Sequence, residues 1–309
     1  MRALAAGFAF AFLIALVLTP LVRRLALALG ALDQLSARKV HSGRQVPRMG
    51  GLGIAVAFYG TLMLLWLLHS QLFQGVLDEG QRVLALLCGG CPILLLGCID
   101  DLRGMRALTK LTVQAAVAAS LWWLGLRVDG ALSLWTAGAL PAWASLALTV
   151  LWISGVINAV NLIDGLDGLA SGVAFFALLA TVSIALLRGD LLLALLAATL
   201  CGAVLGFLVF NWNPASIFMG DTGSMFLGYV LATTSIWAVQ KSATAVLVMF
   251  PAVALALPLL DTTLTIGRRI LSGRPVMQAD RDHVHHRLLG RGLSHRQTVG
   301  LLYAVCAVF

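Results

Sequence analysis

The chain alternates between long apolar stretches and short polar segments. Nine of the apolar stretches approach the roughly 20 residues that a helix needs to cross a bilayer. They predict spanning helices near residues 3–22, 51–68, 83–99, 111–126, 143–159, 171–187, 191–210, 224–239 and 245–266. The first stretch is followed by no small-residue cleavage site, so we interpret it as a retained helix rather than a signal peptide.

The C-terminal stretch, residues 298–309, begins a tenth predicted span. At about 1.5 Å per residue it covers only about 18 Å of a hydrocarbon core about 30 Å thick. We therefore expect either that the natural chain continues or that this is a fragment. The predicted fold class is all-α: a polytopic helical bundle integral to the membrane, one domain over residues 1–309, with about ten spanning helices or eleven if the natural chain continues.

Five polar segments separate pairs of predicted spans, and we call them the polar islands: residues 38–48, 100–110, 158–167, 211–221 and 268–296. The apolar sequence between successive islands is long enough to cross the bilayer and return, which predicts that all five lie on one side. Sixteen of the 21 Lys and Arg residues lie in or beside the islands. Because basic residues accumulate in cytoplasmic loops, the islands are predicted to be cytoplasmic and the amino terminus outside.

Composition agrees with a membrane protein. Hydrophobic residues make up 60% of the chain and charged residues 11%, and the mean hydropathy of +0.96 lies outside the range of soluble domains. The net charge of +8 follows mostly from the bias toward the islands, and it suits anionic lipid or an anionic substrate. Nucleic acid is not an expected partner. The five cysteines all lie in apolar stretches, where packing is favoured over metal or redox roles.

The third island carries a polar side chain at every third position: Asn158, Asn161, Asp164 and Asp167. On a helical turn this spacing places the four side chains on one face. Two amides and two carboxylates on one face can bind a metal together with a sugar or nucleobase, and the glycines that follow the two acids let backbone approach a bulky ligand. The spacing differs from that of a calcium loop, and no Glu closes it. This island favours function over a simple polar loop.

Acidic residues also mark two predicted helix ends. Asp100 and Asp101 end the third span, where adjacent carboxylates are unfavourable unless they meet a cation or water. They indicate either a Mg²⁺ or proton-handling site or a solvated loop start with Arg103 and Arg106 as partners, and both interpretations stay open. Asp221 precedes an apolar helix and lies between two glycines. It is predicted to cap that helix or to offer a carboxylate to a metal, and the two roles are compatible.

The fifth island concentrates three histidines beside an arginine: His283, His285, His286 and Arg287. No Cys or Glu lies nearby to complete a zinc site, so binding of phosphate or pyrophosphate is favoured. Contact with lipid headgroups is the alternative, and it explains the basic residues but not the three histidines. In the first island, Arg44 belongs to a basic, turn-rich segment. Lipid headgroup contact and a place beside an anionic substrate both stay open for it.

Together, five motifs resemble the polyprenyl-phosphate N-acetylhexosamine-1-phosphate transferase family, of the glycosyltransferase family 4 type. They follow the family order over nearly the whole chain, at residues 46–51, 100–101, 158–168, 220–223 and 282–287. The last loop is similar to the branch that transfers GlcNAc-1-phosphate from UDP-GlcNAc to undecaprenyl phosphate. Val284 interrupts the three consecutive histidines typical of the muramoyl-pentapeptide branch, and the third acid of an extended D-D-x-x-D pattern is absent.

The resemblance implies a Mg²⁺-dependent reaction, with Mn²⁺ as a substitute ion, in which a lipid phosphate oxygen attacks the β-phosphate of a UDP-sugar and releases UMP. By resemblance, Asp221 with Asn161 would hold the metal. Asp100 would accept or position the proton of the lipid phosphate, and Asp101 would support that site. The resemblance also implies that Asp164 and Asp167 line the nucleotide pocket. Pyrophosphate or sugar would be bound by His283, His285, His286 and Arg287. Further substrate contacts would come from Arg44, Lys110, Asn158 and Asn161.

The implied partners are undecaprenyl phosphate, a UDP-N-acetylhexosamine and the lipid bilayer. The resemblance places the protein in a bacterial inner membrane with its active site facing the cytoplasm, and homodimers occur in the family. The sugar, the polysaccharide pathway, the oligomeric state and the choice between direct attack and a phospho-aspartyl intermediate stay open.

Two other classes of membrane protein compete with this interpretation. A secondary transporter also uses intramembrane acids and broken helices, but it predicts polar residues near mid-span and an inverted repeat. Here the polar clusters lie at span ends on one side. A CDP-alcohol phosphotransferase requires Ala-Arg after an Asp-Gly pair and two later acids, which residues 167–172 lack. The transferase interpretation is therefore favoured.

Overall fold

The computed structural model describes residues 1–33, 45–68, 80–128, 140–240, 260, 263 and 284–308. These residues form ten helices and no strand: α1 (Arg2–Ala28), α2 (Gly50–Leu68), α3 (Gly80–Arg103), α4 (Ala107–Trp123), α5 (Ala142–Ile163), α6 (Leu169–Leu187), α7 (Leu191–Asn211), α8 (Gly220–Gln240), α9 (Val284–Gly290) and α10 (His295–Val308). Nearly all of the ninth predicted span, together with Arg44 and His283, lies outside the described residues, as do the side chains of His285 and His286.

Seven helices in the described part of the chain are long and apolar enough to cross a membrane: α1, α2, α3, α5, α6, α7 and α8. The shorter α4, with 17 residues, lies where the fourth span was predicted. The all-α, polytopic class is therefore confirmed. The total of about ten spans stays a prediction, since the ninth falls outside the description.

Several helices continue beyond the spans predicted from hydropathy, among them α1, α3 and α5. α1 ends at Ala28 instead of residue 22, and its last turns carry Arg23 and Arg24 exposed. α3 continues to Arg103 and so includes Asp100 and Asp101. Hydropathy marks the end of an apolar stretch, whereas a helix continues for as long as its residues are compatible with it. The acid pair therefore lies on a helix and not in a loop.

The helix α8 lies at the centre of the bundle, and every residue from Thr222 to Ala238 is buried. It packs against α2, α3, α5 and α6. The contacts are close because glycines line them: a Cβ on Gly51 of α2 would lie 2.0 Å from the Gly223 Cα, and one on Gly228 would lie 2.6 Å from the Ile157 Cα. Without a hydrophobic driving force between helices in lipid, such close packing is a main source of their association.

Glycines also allow the outer helices to approach their neighbours. On α7, a Cβ at Gly202 would lie 2.1 Å from the carbonyl oxygen of Phe8 in α1. On α6, a Cβ at Gly172 would lie 2.0 Å from the ring of Tyr303 in α10. The C-terminal helix is thus seated directly on α6, beside the loop that holds the third island.

The described parts of the polar islands meet at one end of the bundle, as predicted. The first turn of α2 is tied to the segment before α8, because the amides of Gly50 and Gly51 donate to the carbonyls of Phe218 and Met219, both at 2.9 Å. At the opposite end, the Gln240 side chain donates to the carbonyl of Gly125 at 2.8 Å. The two ends are therefore closed by different sets of contacts.

Candidate active site

Three charged side chains from three helices meet at the island end of the bundle. Asp100 lies near the end of α3, Lys110 in the first turn of α4 and Asp221 in the first turn of α8. The Lys110 ammonium donates to Asp221 Oδ2 at 2.8 Å and to Asp100 Oδ2 at 3.2 Å. We call these three residues the acid–lysine cluster. It places one positive charge between two carboxylates at the island end of the bundle.

The turn between α3 and α4 brings Lys110 back over Asp100. Gly104 adopts a φ of 69°, in the region that favours glycine, and the amide of Met105 donates to Asp100 Oδ1 at 2.7 Å. One carboxylate oxygen of Asp100 thus accepts from the turn that follows α3, and the other accepts from the Lys110 ammonium. Asp100 therefore lies on a helix and is hydrogen-bonded through both oxygens, which differs from the alternative of a solvated loop start.

Lys110 precedes the predicted span that starts at residue 111. Burial alone would lower the pKa of its ammonium, but the carboxylates of Asp221 and Asp100 outweigh this effect and raise that pKa above its ordinary value. Lys110 therefore carries its positive charge at neutral pH, which is the state needed to attract an anionic substrate.

Asp101 lies next to Asp100 but points to a different place. Its side chain is buried, with 8% of the residue exposed. Oδ1 accepts from the Asp221 amide at 2.9 Å, and Oδ2 accepts from the Thr222 amide at 3.0 Å and the Thr222 hydroxyl at 2.6 Å. Asp101 is thus occupied by the first turn of α8.

The amides of the third island face the same cluster. Asn161 donates from Nδ2 to Ser224 Oγ at 3.1 Å, three residues after Asp221 on α8, and interacts electrostatically with the Asp221 carboxylate. Asn158, one turn earlier, donates to Gln114 Oε1 at 2.7 Å, and Gln114 is fully buried. Asn161 is therefore beside the cluster, whereas Asn158 ties α5 to α4 beneath it.

The acids of the third island do not continue the helical face of its amides. Because α5 ends at Ile163, the prediction that all four side chains share one face of a helix is wrong beyond Asn161. Asp164 directly follows the last residue of α5 and is half-buried. Asp167 lies in the following loop, 5% exposed, and its Oδ2 accepts from Asn213 Nδ2 at 2.9 Å. A nucleotide pocket lined by the two acids stays a prediction.

Asn211 was not among the predicted site residues, although it lies at the start of the fourth island. It is buried, and its Oδ1 accepts from the Gly168 amide at 3.1 Å and the Ser171 hydroxyl at 2.8 Å. Its Nδ2 donates to the carbonyl of Ile217 at 3.1 Å. Asn211 therefore joins the loop after α5 to the loop before α8. An amide at the end of an otherwise apolar run was the signal in the sequence.

The start of α10 lies beside the same loops. His295 Nε2 is 3.4 Å from the carbonyl of Asp167, and the Arg296 guanidinium donates to the carbonyl of Asn213 at 3.0 Å. Arg287 lies exposed on α9, one short turn before α10. The fifth island thus approaches the third and fourth, and the roles predicted for its histidines and for Arg287 stay predictions.

The donor set suits a hard divalent cation. In the part of the chain that the structure describes, no three His, Cys, Asp or Glu side chains are placed to hold a metal ion by themselves. Mg²⁺, however, is commonly held by one or two carboxylates together with substrate phosphates. Asp221 supplies such a carboxylate, and Asn161 lies beside it. The residues fit a Mg²⁺ ion whose coordination is completed by substrate.

Comparison with known proteins assigns the chain to a class. The model of the family described as glycosyl transferase family 4 matches residues 83–239, a range that contains the acid–lysine cluster and the third island. The chain belongs to this family. The family predicted from the five motifs is therefore confirmed.

Among individual relatives, the probable undecaprenyl-phosphate N-acetylglucosaminyl 1-phosphate transferase of Bacillus subtilis is 40% identical over 304 residues, which cover 98% of this chain and 82% of the relative. The decaprenyl-phosphate N-acetylglucosaminephosphotransferase of Mycobacterium tuberculosis is 37% identical, over 91% of this chain and 74% of the relative. The phospho-N-acetylmuramoyl-pentapeptide-transferase of Halalkalibacterium halodurans is 33% identical, over 100% and 97%. These identities support the N-acetylglucosamine-1-phosphate branch predicted from the last loop.

Proposed function

We propose that this protein transfers GlcNAc-1-phosphate from UDP-GlcNAc to undecaprenyl phosphate, releases UMP, and thereby starts a lipid-linked polysaccharide of the bacterial cell envelope. The observation that carries the proposal is the acid–lysine cluster, in which Asp100, Lys110 and Asp221 from three helices meet at one end of the bundle. The names of the relatives at 40% and 37% identity support the acceptor and the sugar.

The location of the cluster suits two substrates of different solubility. A polyprenyl phosphate has its chain in the bilayer and its phosphate at the surface, and a nucleotide sugar arrives from water. A site formed at the ends of α3 and α5 and the starts of α4 and α8 would meet both at the membrane boundary. Positive-inside bias supports placing this end on the cytoplasmic side of the inner membrane.

The chemistry requires two anions to approach each other. An oxygen of the lipid phosphate forms a bond to the β-phosphorus of the UDP-sugar, and the bond from that phosphorus to the oxygen shared with the α-phosphate breaks, so that UMP leaves. Lys110 attracts and neutralises phosphate oxygens in this step. Asp100 orients the acceptor phosphate or takes up its proton. Mg²⁺, or Mn²⁺ in its place, would be held by Asp221 with Asn161 and would neutralise charge on the pyrophosphate.

The remaining predicted residues are proposed to bind the donor. Asp164 is half-buried at the end of α5, three residues after Asn161 in the chain, and suits contact with the nucleotide. Arg287 is exposed on α9 and suits contact with the pyrophosphate or sugar. A homodimer is a further proposal that follows from the family alone.

The test is UMP release by the purified, full-length protein in detergent or nanodiscs with undecaprenyl phosphate, Mg²⁺ and UDP-GlcNAc. We expect release to depend on lipid and on Mg²⁺, and Asp221→Asn to reduce kcat by about 10²- to 10³-fold, the usual effect of removing one electrostatic contact to the transition state.

The matched control is Asp190→Asn. Asp190 caps the start of α7, at the end of the bundle opposite the islands, and accepts from the Leu193 amide at 3.1 Å. Asn caps helices as well as Asp does. We expect full activity from this variant. If the well-folded wild type releases no UMP with any UDP-N-acetylhexosamine, the transferase proposal is wrong and a transporter becomes the leading alternative.

A further inference from the structure

Asp101 accepts hydrogen bonds from the first amides of α8. The first amides of a helix have no partner within the helix, and a side chain at the residue before the first turn usually accepts from them. In α8 the first residue is Gly220, which has no side chain, and the residue before it is the apolar Met219. The acceptor comes instead from another helix, because both oxygens of Asp101 receive the amides of Asp221 and Thr222.

The surrounding glycines are consistent with this role. Gly220 has a φ of 71°, and a Cβ there would lie 2.3 Å from Asp101 Oδ2. On α3, one turn before Asp101, a Cβ on Gly97 would lie 2.4 Å from the Thr222 Cα. The two helices therefore approach closely enough for the carboxylate to reach the first turn only because both positions lack a side chain.

The residue whose amide Asp101 holds is Asp221 itself. With its backbone fixed by Asp101, the Asp221 side chain extends to Lys110, at 2.8 Å. The neighbouring Asp100 receives the same ammonium. The Asp101 carboxylate thus fixes the backbone that carries Asp221, and its described hydrogen bonds are all to the first turn of α8.

We propose that Asp101 is a positioning residue that caps α8 from α3 and holds Asp221 in place, and that it acts as neither proton acceptor nor metal ligand. Thr222 completes the cap, since its hydroxyl, fully buried, donates to Asp101 Oδ2 at 2.6 Å. The inference rests on the proposed function for the identity of the reaction. The cap itself is independent of it.

The experiment is amide hydrogen exchange of the full-length protein, read by mass spectrometry in peptides covering residues 220–226. Both Asp101 oxygens accept from α8, and an Asn side chain has only one acceptor oxygen, so its NH₂ group would face the amide or the hydroxyl of Thr222. We therefore expect Asp101→Asn to speed exchange in the first turn of α8 roughly 2- to 30-fold, the range that corresponds to losing a helix cap. Exchange in the first turn of α7 stays unchanged. Asp190→Asn is the matched control, and it leaves exchange in the first turn of α8 at the wild-type level.

A second pair of variants measures the same cap without changing the carboxylate. Thr222→Val removes the hydroxyl and is expected to speed exchange in the first turn of α8, whereas Thr222→Ser keeps the hydroxyl and the slow exchange. Because Asp101 and Thr222 share one hydrogen bond, the double variant Asp101→Asn/Thr222→Val is expected to differ little from Asp101→Asn. If Asp101→Asn fails to fold, the Thr222 pair alone decides the outcome.

The dependence of kcat on pH separates positioning from proton transfer. For a positioning residue, Asp101→Asn lowers the whole profile and leaves its acidic limb at the same pH. Unchanged exchange at the start of α8 in both Asp101→Asn and Thr222→Val overturns the proposal, and so does the loss of the acidic limb in Asp101→Asn. Absence of UMP release from the wild type would reject the reaction but leave the exchange result valid.

Discussion

Two aspartates cap helices at opposite ends of this bundle, and they do so in different ways. Asp190 caps its own helix, α7, by accepting from the Leu193 amide three residues later. Asp101 caps α8 by accepting from the Asp221 amide, 120 residues later in the chain. The first cap is a local structure that any helix can form. The second requires two helices to be packed before it exists, and it joins the stability of the bundle to the geometry of the candidate site.

The same contrast holds for the charges near the two ends. At the far end, Asp190 also accepts from the Trp237 indole at 3.2 Å, a contact that ties α7 to α8. At the island end, Lys110 forms salt bridges with two carboxylates, those of Asp100 and Asp221. Excess like charge so close together is unfavourable unless a ligand uses it. The island end therefore has the character of a binding site, and the far end that of a structural closure.

Among the tests of the contrast between the two ends, the largest effect is expected from removing the positive charge at the island end. Lys110→Met leaves two carboxylates facing each other without an ammonium, so we expect kcat for UMP release to fall about 100-fold. Lys110→Arg keeps the charge but not the compact geometry, and we expect about a tenfold loss. The measurement is UMP release at saturating substrates. Equal activity of the Met and Arg variants would show that the charge of Lys110 is not what matters.

The next effect concerns the contact between α2 and α8. Gly51→Ala places a Cβ 2.0 Å from the Gly223 Cα, where only backbone can move. We expect a loss of about 1–3 kcal/mol in the free energy of unfolding, as for other overpacked contacts. Thermal or SDS-induced unfolding in detergent measures it.

The control lies on the same helix. A Cβ on Gly60 would meet nothing within 4 Å, so Gly60→Ala is expected to keep or slightly raise stability, by at most about 1 kcal/mol. If Gly51→Ala and Gly60→Ala have the same midpoint of unfolding, close packing of α2 on α8 does not stabilise the bundle.

The smallest effect is expected at the far end. Asp190→Ala removes a local helix cap and should cost about 1 kcal/mol of stability, with kcat unchanged. Unfolding and UMP release are measured on the same preparation. A loss of activity larger than the loss of folded protein would mean that the far end is coupled to the site, and the contrast between the two ends would have to be abandoned.

Much of the fold and part of the site could be predicted from the sequence. Hydropathy located the apolar helices, and alternation of the islands predicted that they meet at one end. Hydropathy was less accurate for helix ends, because α3 continues through Asp100 and Asp101, and α5 continues to Ile163, beyond the predicted end at residue 159. A repeat of three residues is compatible with a helical face, but it does not tell where the helix ends.

The sequence by itself determined that this is a polytopic helical membrane protein and which residue types its islands offer, since hydropathy, charge bias and motif order are properties of local segments. Only the tertiary structure decided that Asp100 and Asp221 share Lys110 while Asp101 faces the backbone of α8. Adjacent acids on a helix point about 100° apart, so which one reaches a partner depends on the helices packed around them. That packing is set by glycine contacts between α2, α3 and α8, and these join positions far apart in the chain.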